Sequence, residues 1–207
     1  MSTQYPINKH LEDYEIKLPN FWNTIYEAGN PAWGKAPASV LEKFISYFPK
    51  DSKILDLGCG EGRNSIPLSK MGYEVHGIDI SNKAIDNAKK KQSDCVFQCI
   101  DLFELNTENK YDVIIDFGLY HFVPHEYREQ YAHIVQKVLR KNGVYCNQSG
   151  RLENKLGSVE YTPPQLEEQD LLNTFKNFNI VLLEKETLPS FSDYWAYPCW
   201  NMVAKVK

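Results

Sequence analysis

The sequence Lys-Ile-Leu-Asp-Leu-Gly-Cys-Gly-Glu-Gly, residues 53–62, decides the fold of this chain. Residues 54–57 are mostly apolar and predict a short buried strand. Gly58, Gly60 and Gly62 follow at alternate positions, and a helical pattern begins directly after them. Glycine adopts positive φ angles at low cost and lets another molecule approach the backbone closely. A strand, a glycine turn and a helix in this order predict the first half of a βαβ nucleotide-binding unit.

A second predicted strand, Glu-Val-His-Gly-Ile-Asp at residues 74–79, ends in an acid about 20 residues further along the chain. In a βαβ site an acid at this point hydrogen-bonds the ribose hydroxyls of the cofactor. The glycine spacing is G-x-G-x-G, whereas dinucleotide sites usually have G-x-G-x-x-G. Asp56 and Glu61, beside and inside the loop, would repel a pyrophosphate. They suit a cofactor without phosphate that carries cationic groups, such as an ammonium and a sulfonium.

Residues 56–64, Asp-Leu-Gly-Cys-Gly-Glu-Gly-Arg-Asn, closely resemble the first motif of class I S-adenosylmethionine-dependent methyltransferases. That cofactor carries both cationic groups and leaves as S-adenosylhomocysteine. Residues 62–65, 72–75 and 116–122 resemble the branch of tellurite-resistance and thiopurine-type methyltransferases, which act on small molecules. The resemblance covers residues 38–207 and implies a Rossmann-like α/β fold. This fold has a seven-stranded, mostly parallel sheet, an antiparallel last strand, and helices on both faces.

The resemblance implies cofactor contacts at the tips of the predicted strands. The backbone of Gly58 and Gly60, together with Asp56, would hold the methionine end, and Asp79 would take the ribose hydroxyls. Residues 101–102, after the third strand, would meet the adenine. The predicted cofactor-binding residues are Trp33, Asp56, Gly58, Cys59, Gly60, Asn64, Asp79, Ile80, Asp101, Leu102, Asp116 and Phe117.

The predicted acceptor side lies beyond the fourth strand, where Asp116 and Phe117 would sit beside the transferable methyl group. His121 would be a base or would orient the acceptor, and the alternative is a packing histidine at a helix start. Arg151 would pair with an acceptor carboxylate, or form a surface ion pair instead. The candidate catalytic residues are His121, Asp116 and Tyr120, and the candidate substrate-binding residues are Tyr120, His121, Arg151, Tyr194 and Trp195.

The implied reaction is in-line SN2 transfer of a methyl group to a sulfur, oxygen or nitrogen nucleophile. Because the donor is already activated, positioning supplies most of the acceleration, and oriented reactants gain up to about 7–11 kcal/mol. A general base adds about 10²–10⁴-fold, and only where the acceptor has a proton to lose.

Residues 1–37 are predicted to form an aromatic-rich cap segment ahead of a methyltransferase domain at residues 38–207. Phe21, Trp22 and Tyr26 lie within this segment, where residues 18–27 could form a short helix. So many aromatic side chains indicate a segment that packs over something. Two interpretations stay open: a lid that excludes water from the cofactor site, or extra core on the flank of the domain.

Further elements follow from periodicity and capping signals. Ser39 and Glu42 have the spacing of a capping box, and Ser81 is a predicted N-cap. Arg140 is expected to lie in the last turn of a long helix. The continuous Val-Ile-Ile run at residues 113–115 predicts a strand buried on both faces. Helices are predicted at residues 39–48, 64–71, 81–92, 124–140 and 163–175, and strands at 96–100, 111–116, 144–148, 178–183 and 202–206.

The composition is that of an ordinary globular protein, with 207 residues, 43% hydrophobic and 24% charged. A net charge of −4 argues against a nucleic-acid partner. No apolar run approaches the ~20 residues that span a bilayer, so no membrane partner is expected. The first residues lack the pattern of a signal peptide, which predicts a cytoplasmic protein. Cys95 and Cys99 lack a second pair at zinc spacing, so no metal is expected.

The sequence therefore predicts an enzyme that methylates a small-molecule acceptor, working as a monomer or a homodimer. Its alternatives are an RNA or protein methyltransferase, a non-catalytic S-adenosylmethionine-binding module, and a nicotinamide dehydrogenase. The acceptor and the methylated atom stay open at this point.

Overall fold

A computed structural model describes residues 11–29, 34–91, 93–152, 165–188 and 197–207. Short 3₁₀ turns connect some of its elements, at Leu102–Glu104, Tyr120–Phe122 and His125–Tyr127. The helices are α1 (Leu11–Glu27), α2 (Leu41–Ile45), α3 (Ser65–Lys70), α4 (Asn82–Lys89), α5 (Arg128–Val138) and α6 (Glu168–Thr174). The strands are β1 (Lys53–Leu57), β2 (Glu74–Asp79), β3 (Val96–Cys99), β4 (Tyr111–Phe117), β5 (Leu139–Gly150), β6 (Phe178–Leu188) and β7 (Tyr197–Val206).

The strands form one seven-stranded sheet in the order β3-β2-β1-β4-β5-β7-β6. Strands β1 to β5 are parallel to their neighbours, whereas β7 is antiparallel to both β5 and β6. The predicted Rossmann-like fold with a reversed last strand is therefore confirmed. Strand β1 has β2 on one side and β4 on the other, so the strand order reverses at β1. In open parallel sheets ligands bind at such a switch point, outside the carboxyl ends of the strands.

Helices cover both faces of the sheet, as predicted. Val113, Ile114 and Ile115 of β4 are all fully buried. Ile114 packs with residues of α5 and α6, whereas its two neighbours pack with α2 and α3 on the opposite face. The continuous apolar run of β4 therefore serves two cores at once, which is why it does not alternate with polar residues.

The predicted helix at residues 39–48 is shorter in the structure, and its predicted cap is wrong. Helix α2 begins at Leu41, and its N-cap residue Val40 makes no side-chain cap hydrogen bond. The chain is fixed from outside the helix instead, because the amide of Ala38 donates to the Oδ1 of Asn64 at 2.9 Å. In contrast, the predicted cap of α4 is confirmed: the Oγ of Ser81 accepts from the amide of Ala84.

The predicted long helix to Arg140 is also wrong at both ends. A 3₁₀ turn precedes α5, and β5 begins at Leu139, opposite Tyr111 of β4. The guanidinium of Arg140 pairs across the sheet with Asp112 at 2.8 Å. Strand pairing with a distant segment therefore overrides the local helical pattern. The predicted helix start near residue 163 lies outside the described residues, and the described α6 has its own capping box between Glu167 and Asp170.

Helix α1 is longer than the short helix predicted for this region, and its contacts lie mostly with α4. None of the helices that the structure describes has the length and apolar character needed to cross a membrane.

Candidate functional site

Three carboxylates lie at the carboxyl ends of adjacent strands: Asp56 of β1, Asp79 of β2 and Asp116 of β4. Each is at most 8% exposed. Burial raises the pKa of Asp56 to about 7 and the pKa values of Asp79 and Asp116 to about 6. None of the ion pairs found in the described ranges includes any of the three. The switch point of the sheet therefore concentrates buried negative charge.

Asp79, the last residue of β2, holds the glycine turn after β1. One carboxylate oxygen accepts from the amide of Gly60 and the other from the amide of Ser81, both at 2.8 Å. Gly58 and Gly60 have φ angles of 67° and 54°, a region that favours glycine. The amide of Cys59 donates to the carbonyl of Ile78 in β2. These bonds tie the turn to the next strand.

Asp56 faces the start of α3 on the other side of the turn. Its carboxylate accepts from the hydroxyl of Ser65 at 2.5 Å. Arg63 is the cation that lowers the pKa of Asp56 against the effect of burial, and its guanidinium donates to the carbonyl of Ala36. Ser65 was not predicted as a site residue, and its only sequence signal is its place at the first position of α3.

Helix α1 lies across this edge of the sheet. The hydroxyl of Tyr26 occupies the space in which a β-carbon on Gly60 would lie, and Tyr26 is buried. The Oδ1 of Asn23 accepts from the hydroxyl of Ser81 at 2.7 Å. The Trp22 ring lies 5.0 Å from the ring of Phe122, beyond β4. Sequence reasoning missed Asn23 and Tyr26 as site residues, although the density of aromatic residues did indicate that this segment packs over something.

Leu119 covers Gly58, the first glycine of the turn. A β-carbon on Gly58 would lie 2.8 Å from the Cδ1 of Leu119, so only glycine leaves room for this contact. The contact joins the turn after β1 to the turn after β4. No local sequence signal identifies Leu119, because its partner lies about 60 residues away in the chain.

Asp116 is enclosed by donors. Its carboxylate accepts from the amides of Leu119 at 2.8 Å and Tyr120 at 3.0 Å. It also accepts from the hydroxyls of Tyr131 at 2.5 Å and Tyr145 at 3.4 Å. The structure thus places this predicted catalytic and cofactor-binding residue in the interior, where it holds the 3₁₀ turn after β4 against α5 and β5.

Tyr120 and His121, the other two candidate catalytic residues, are buried as well. The hydroxyl of Tyr120 donates to the Oγ1 of Thr174 in α6 at 2.7 Å, and its ring packs on Tyr131. The Nδ1 of His121 accepts from the amide of Gly150 at 3.0 Å. Burial lowers the pKa of His121 to about 3, so its imidazole is neutral at physiological pH.

The remaining predicted residues fall into three groups. Asp101 directly follows Ile100, whose amide donates to the carbonyl of Asp79, and it accepts from the amide of Phe103 at 2.9 Å. Leu102, Cys59 and Asn64 are buried, Ile80 follows β2, and Phe117 packs on Phe44 at 5.6 Å. Trp33, Tyr194 and Trp195 lie outside the described residues.

Arg151 follows β5 and is only 9% exposed. Its side chain is therefore too buried for the surface ion pair that was the alternative prediction. Its guanidinium lies 5.8 Å from the centre of the Trp200 ring.

The family model described as "Methyltransferase domain" matches residues 54–143. The ribosomal protein L11 methyltransferase of Dictyoglomus thermophilum is 30% identical over 158 residues, 73% of this chain and 46% of that relative. The probable S-adenosyl-L-methionine-dependent methyltransferase TehB of Haemophilus influenzae is 35% identical over 78 residues, 36% of this chain and 27% of that relative. The chain therefore spans less than half the length of either relative.

Among solved structures, the chain is similar to the Burkholderia thailandensis 1,6-didemethyltoxoflavin-N1-methyltransferase with bound 1,6-didemethyltoxoflavin and S-adenosylhomocysteine. The TM-score is 0.75 at 17% identity, covering 98% of this chain and 94% of that chain. At this identity the likeness shows the fold alone. Residues 54–143 thus match a methyltransferase domain, and in sequence and fold the chain resembles the class I S-adenosylmethionine-dependent methyltransferases, TehB among them.

Proposed function

We propose that this protein transfers the methyl group of S-adenosylmethionine to a small-molecule acceptor. The observation that carries the proposal is the pair of buried carboxylates, Asp56 and Asp79, on either side of the positive-φ turn at Gly58 and Gly60. Asp79 suits the ribose of either kind of cofactor, whereas Asp56 beside the turn would repel a pyrophosphate. A cofactor with an ammonium and a sulfonium would meet attraction, which favours S-adenosylmethionine over a nicotinamide dinucleotide.

The described residues suit the cofactor in three places. Each oxygen of Asp79 accepts a backbone hydrogen bond, and a carboxylate has about four acceptor sites, which leaves capacity for the ribose hydroxyls. The backbone of Gly58 and Gly60, together with Asp56, would hold the methionine end. Asp101 follows Ile100, whose amide donates to the carbonyl of Asp79 at the end of β2. This position suits a contact with the adenine.

When bound, S-adenosylmethionine supplies an activated methyl group on a sulfonium. The residues of the chain then have to orient the acceptor and exclude water. Helix α1 provides the cover, since Tyr26 lies over the glycine turn and Trp22 reaches the residues beyond β4. We therefore favour the lid interpretation of the N-terminal segment, residues 1–37, over extra core on the flank of residues 38–207.

A small acceptor is supported by the fold neighbour that acts on 1,6-didemethyltoxoflavin and by the likeness to TehB. The net charge of −4 supports the absence of a nucleic-acid partner. We further propose a cytoplasmic protein that works as a monomer or a homodimer. A protein acceptor is the second candidate, because the L11 methyltransferase aligns with 73% of this chain.

A methyl-transfer screen tests the function directly. The purified protein is expected to bind S-adenosylhomocysteine in calorimetry and to methylate at least one member of a panel of thiols, phenols and heterocycles. Ribosomal protein L11 is assayed in parallel. Methylation of L11 without any small-molecule turnover would favour the second candidate, and no binding of S-adenosylhomocysteine would contradict both.

Replacing Asp79 by Ala is expected to weaken binding of S-adenosylhomocysteine by about 1.5–3 kcal/mol, because charge-assisted hydrogen bonds to the ribose are lost. Calorimetry measures the change, and circular dichroism checks that the variant is folded. The matched control is Asp86→Ala, the same substitution at an exposed position of α4, which should leave the affinity unchanged. Equal affinities for the Asp79 variant and the wild type would remove the ribose assignment.

A double-mutant cycle tests the placement of α1 over the turn. Gly60→Ala is expected to lower the free energy of unfolding by about 1–3 kcal/mol, since the new methyl group meets the Tyr26 hydroxyl. Tyr26→Phe in the same chain should recover at least about 0.5 kcal/mol of that loss. Gly72→Ala is the control for backbone strain, because Gly72 also has a positive φ angle, 95°, and no atom of the described residues lies within 4 Å of a β-carbon there. Additive effects at Gly60 would mean that α1 does not lie over the turn.

The burial of Asp56 makes the free energy of unfolding of the ligand-free protein depend on pH. The pKa of Asp56 in the folded protein, about 7, lies above its ordinary value of 3.8, so the folded state retains a proton that the unfolded state has released. Stability is therefore lost as the pH rises through about 7. Asp56→Asn cannot ionise, so its stability relative to wild type should rise by at least about 1 kcal/mol between pH 5 and pH 8. Urea unfolding at each pH measures this, and parallel curves would contradict it.

A further inference from the structure

The edge of the sheet that carries the three carboxyl groups continues along β5, β7 and β6. Strand β5 is parallel to β4 and ends at this edge. Because β7 is antiparallel to both β5 and β6, β7 begins there and β6 ends there. Arg151 directly follows β5, Trp200 is the fourth residue of β7, and Lys185 lies near the end of β6. The topology therefore brings two cations and an indole to the same edge as the carboxyl groups.

Both cations contact the ring of Trp200, which is buried. The guanidinium carbon of Arg151 lies 5.8 Å from the centre of the ring, and the Nζ of Lys185 lies 5.4 Å from it. Cations within about 6 Å of an aromatic ring are attracted to its face. The indole is held in place because its Nε1 donates to the carbonyl of Leu166 at 2.9 Å. Two positive charges are thus fixed around one ring.

The backbone on either side of Arg151 ties it to the acceptor side of the crevice. The amide of Arg151 donates to the carbonyl of Pro198 in β7 at 3.0 Å, and the carbonyl of Gly150 accepts from the amide of Leu166 at 2.9 Å. The amide of Gly150 donates to the Nδ1 of His121, in the 3₁₀ turn after β4. Arg151 is therefore one residue away from a direct contact with the turn that follows β4, where the acceptor is predicted to bind.

The two cations lie close to solvent. Lys185 is exposed, and Leu152, the residue after Arg151, is 45% exposed. Arg151 itself keeps 9% of its surface accessible. The chain thus reaches the surface on both sides of the ring, and a small ligand has a way in from the side of Lys185.

The charge of Lys185 is not balanced by its neighbours. Successive side chains of a strand point to opposite faces, and Glu184 and Glu186 accept from Asn201 on the other face of the sheet. None of the ion pairs within the described part of the chain includes Lys185. Like charges around one buried ring repel each other, whereas an anion bound between them attracts both. This half of the edge therefore suits a negative group, in contrast to the acidic half at β1, β2 and β4.

We infer that Arg151, Lys185 and Trp200 form an anion-binding part of the acceptor site, and that the acceptor carries a carboxylate. The guanidinium matches a carboxylate with two parallel hydrogen bonds, and Lys185 adds a second charge on the solvent side. This inference rests on the proposed function. A cationic cofactor and an anionic acceptor then occupy opposite halves of one sheet edge, which keeps the acceptor carboxylate away from the acidic groups around the cofactor.

Whether a carboxylate reaches Arg151 is tested first, without turnover. ¹⁵N-labelled full-length protein is saturated with S-adenosylhomocysteine, and its arginine Nε–H signals are followed by NMR, with Arg151→Lys used to assign the signal. Titration with 4-hydroxybenzoate is expected to shift the Arg151 signal saturably, whereas 4-hydroxybenzamide at equal ionic strength leaves it in place. An unmoved signal, or the same shift with sodium chloride alone, would contradict the inference. Absent binding of S-adenosylhomocysteine would instead contradict the proposed function.

The preference for a carboxylate is tested with pairs of acceptors that differ in charge. The pairs are 3-mercaptopropionate, 4-hydroxybenzoate and nicotinate, each with its neutral amide, so that sulfur, oxygen and nitrogen nucleophiles are all represented. We expect kcat/KM to be about 10-fold or more higher for the carboxylate in at least one pair, the scale of a charge-assisted hydrogen bond. Turnover of the amides with equal or higher kcat/KM would overturn the inference, and if no pair turns over, the NMR result decides.

Variants assign the preference to the two cations. Arg151→Met is expected to lower the carboxylate-to-amide ratio of kcat/KM about 10-fold or more. Lys185→Met should lower it about 2- to 5-fold, since an exposed charge is screened by solvent. This second variant keeps the test open if the buried Arg151 variant does not fold. Lys141→Met is the matched control, because it removes an exposed cation from the opposite end of β5. An unchanged ratio in the Lys185 variant, or an equal fall in the Lys141 variant, would show that this cluster does not select the acceptor.

Discussion

The structure depends on how three ionisable carboxyl groups are kept inside the protein at the ends of β1, β2 and β4. Because β1 pairs in parallel with both β2 and β4, the carboxyl ends of the three strands lie at one edge of the sheet. Asp56, Asp79 and Asp116 are therefore neighbours. A buried carboxylate is tolerated only where hydrogen bonds satisfy it. Each of the three does this by holding a different connection: the start of α3, the glycine turn and the 3₁₀ turn after β4. The same groups that define the crevice therefore fix the loops that surround it.

These three carboxyl groups set the charge of the crevice. The carboxylates at the crevice are engaged by backbone amides and hydroxyls, so they act as fixed acceptors that set the local potential. Burial raises their pKa values towards neutrality, and within the ranges that the structure describes no lysine or arginine forms an ion pair with them. A ligand with cationic groups would stabilise the ionised form of these carboxyl groups, whereas a phosphate ligand would destabilise it. The preference for a cationic cofactor is thus a result of how these carboxyl groups are packed.

Features encoded locally could be predicted from the sequence, and features set by distant partners could not. The glycine turn, the acid ending β2, the buried run of β4 and the Ser81 cap each depend on residues a few positions apart. The end of α5 was missed because Arg140 pairs with Asp112 across the sheet. The environments of Asp116 and Tyr120 depend on Tyr131, Tyr145 and Thr174, which periodicity along the chain does not connect to them. Tyr26 shares this difficulty, since only the fold brings it to Gly60.

The insertion of β7 between β5 and β6 has a consequence for biosynthesis. Strand β6 pairs with β7, and Gly150 of β5 also finds its partner, Cys199, in β7. A nascent chain leaves the ribosome from its N-terminus, so β6 emerges before the strand that joins it to the sheet. Until then one edge of β5 and the whole of β6 expose unpaired backbone, a state that invites aggregation. We expect the first five strands to assemble before β7 is available and this half of the sheet to close only once β7 has been synthesised.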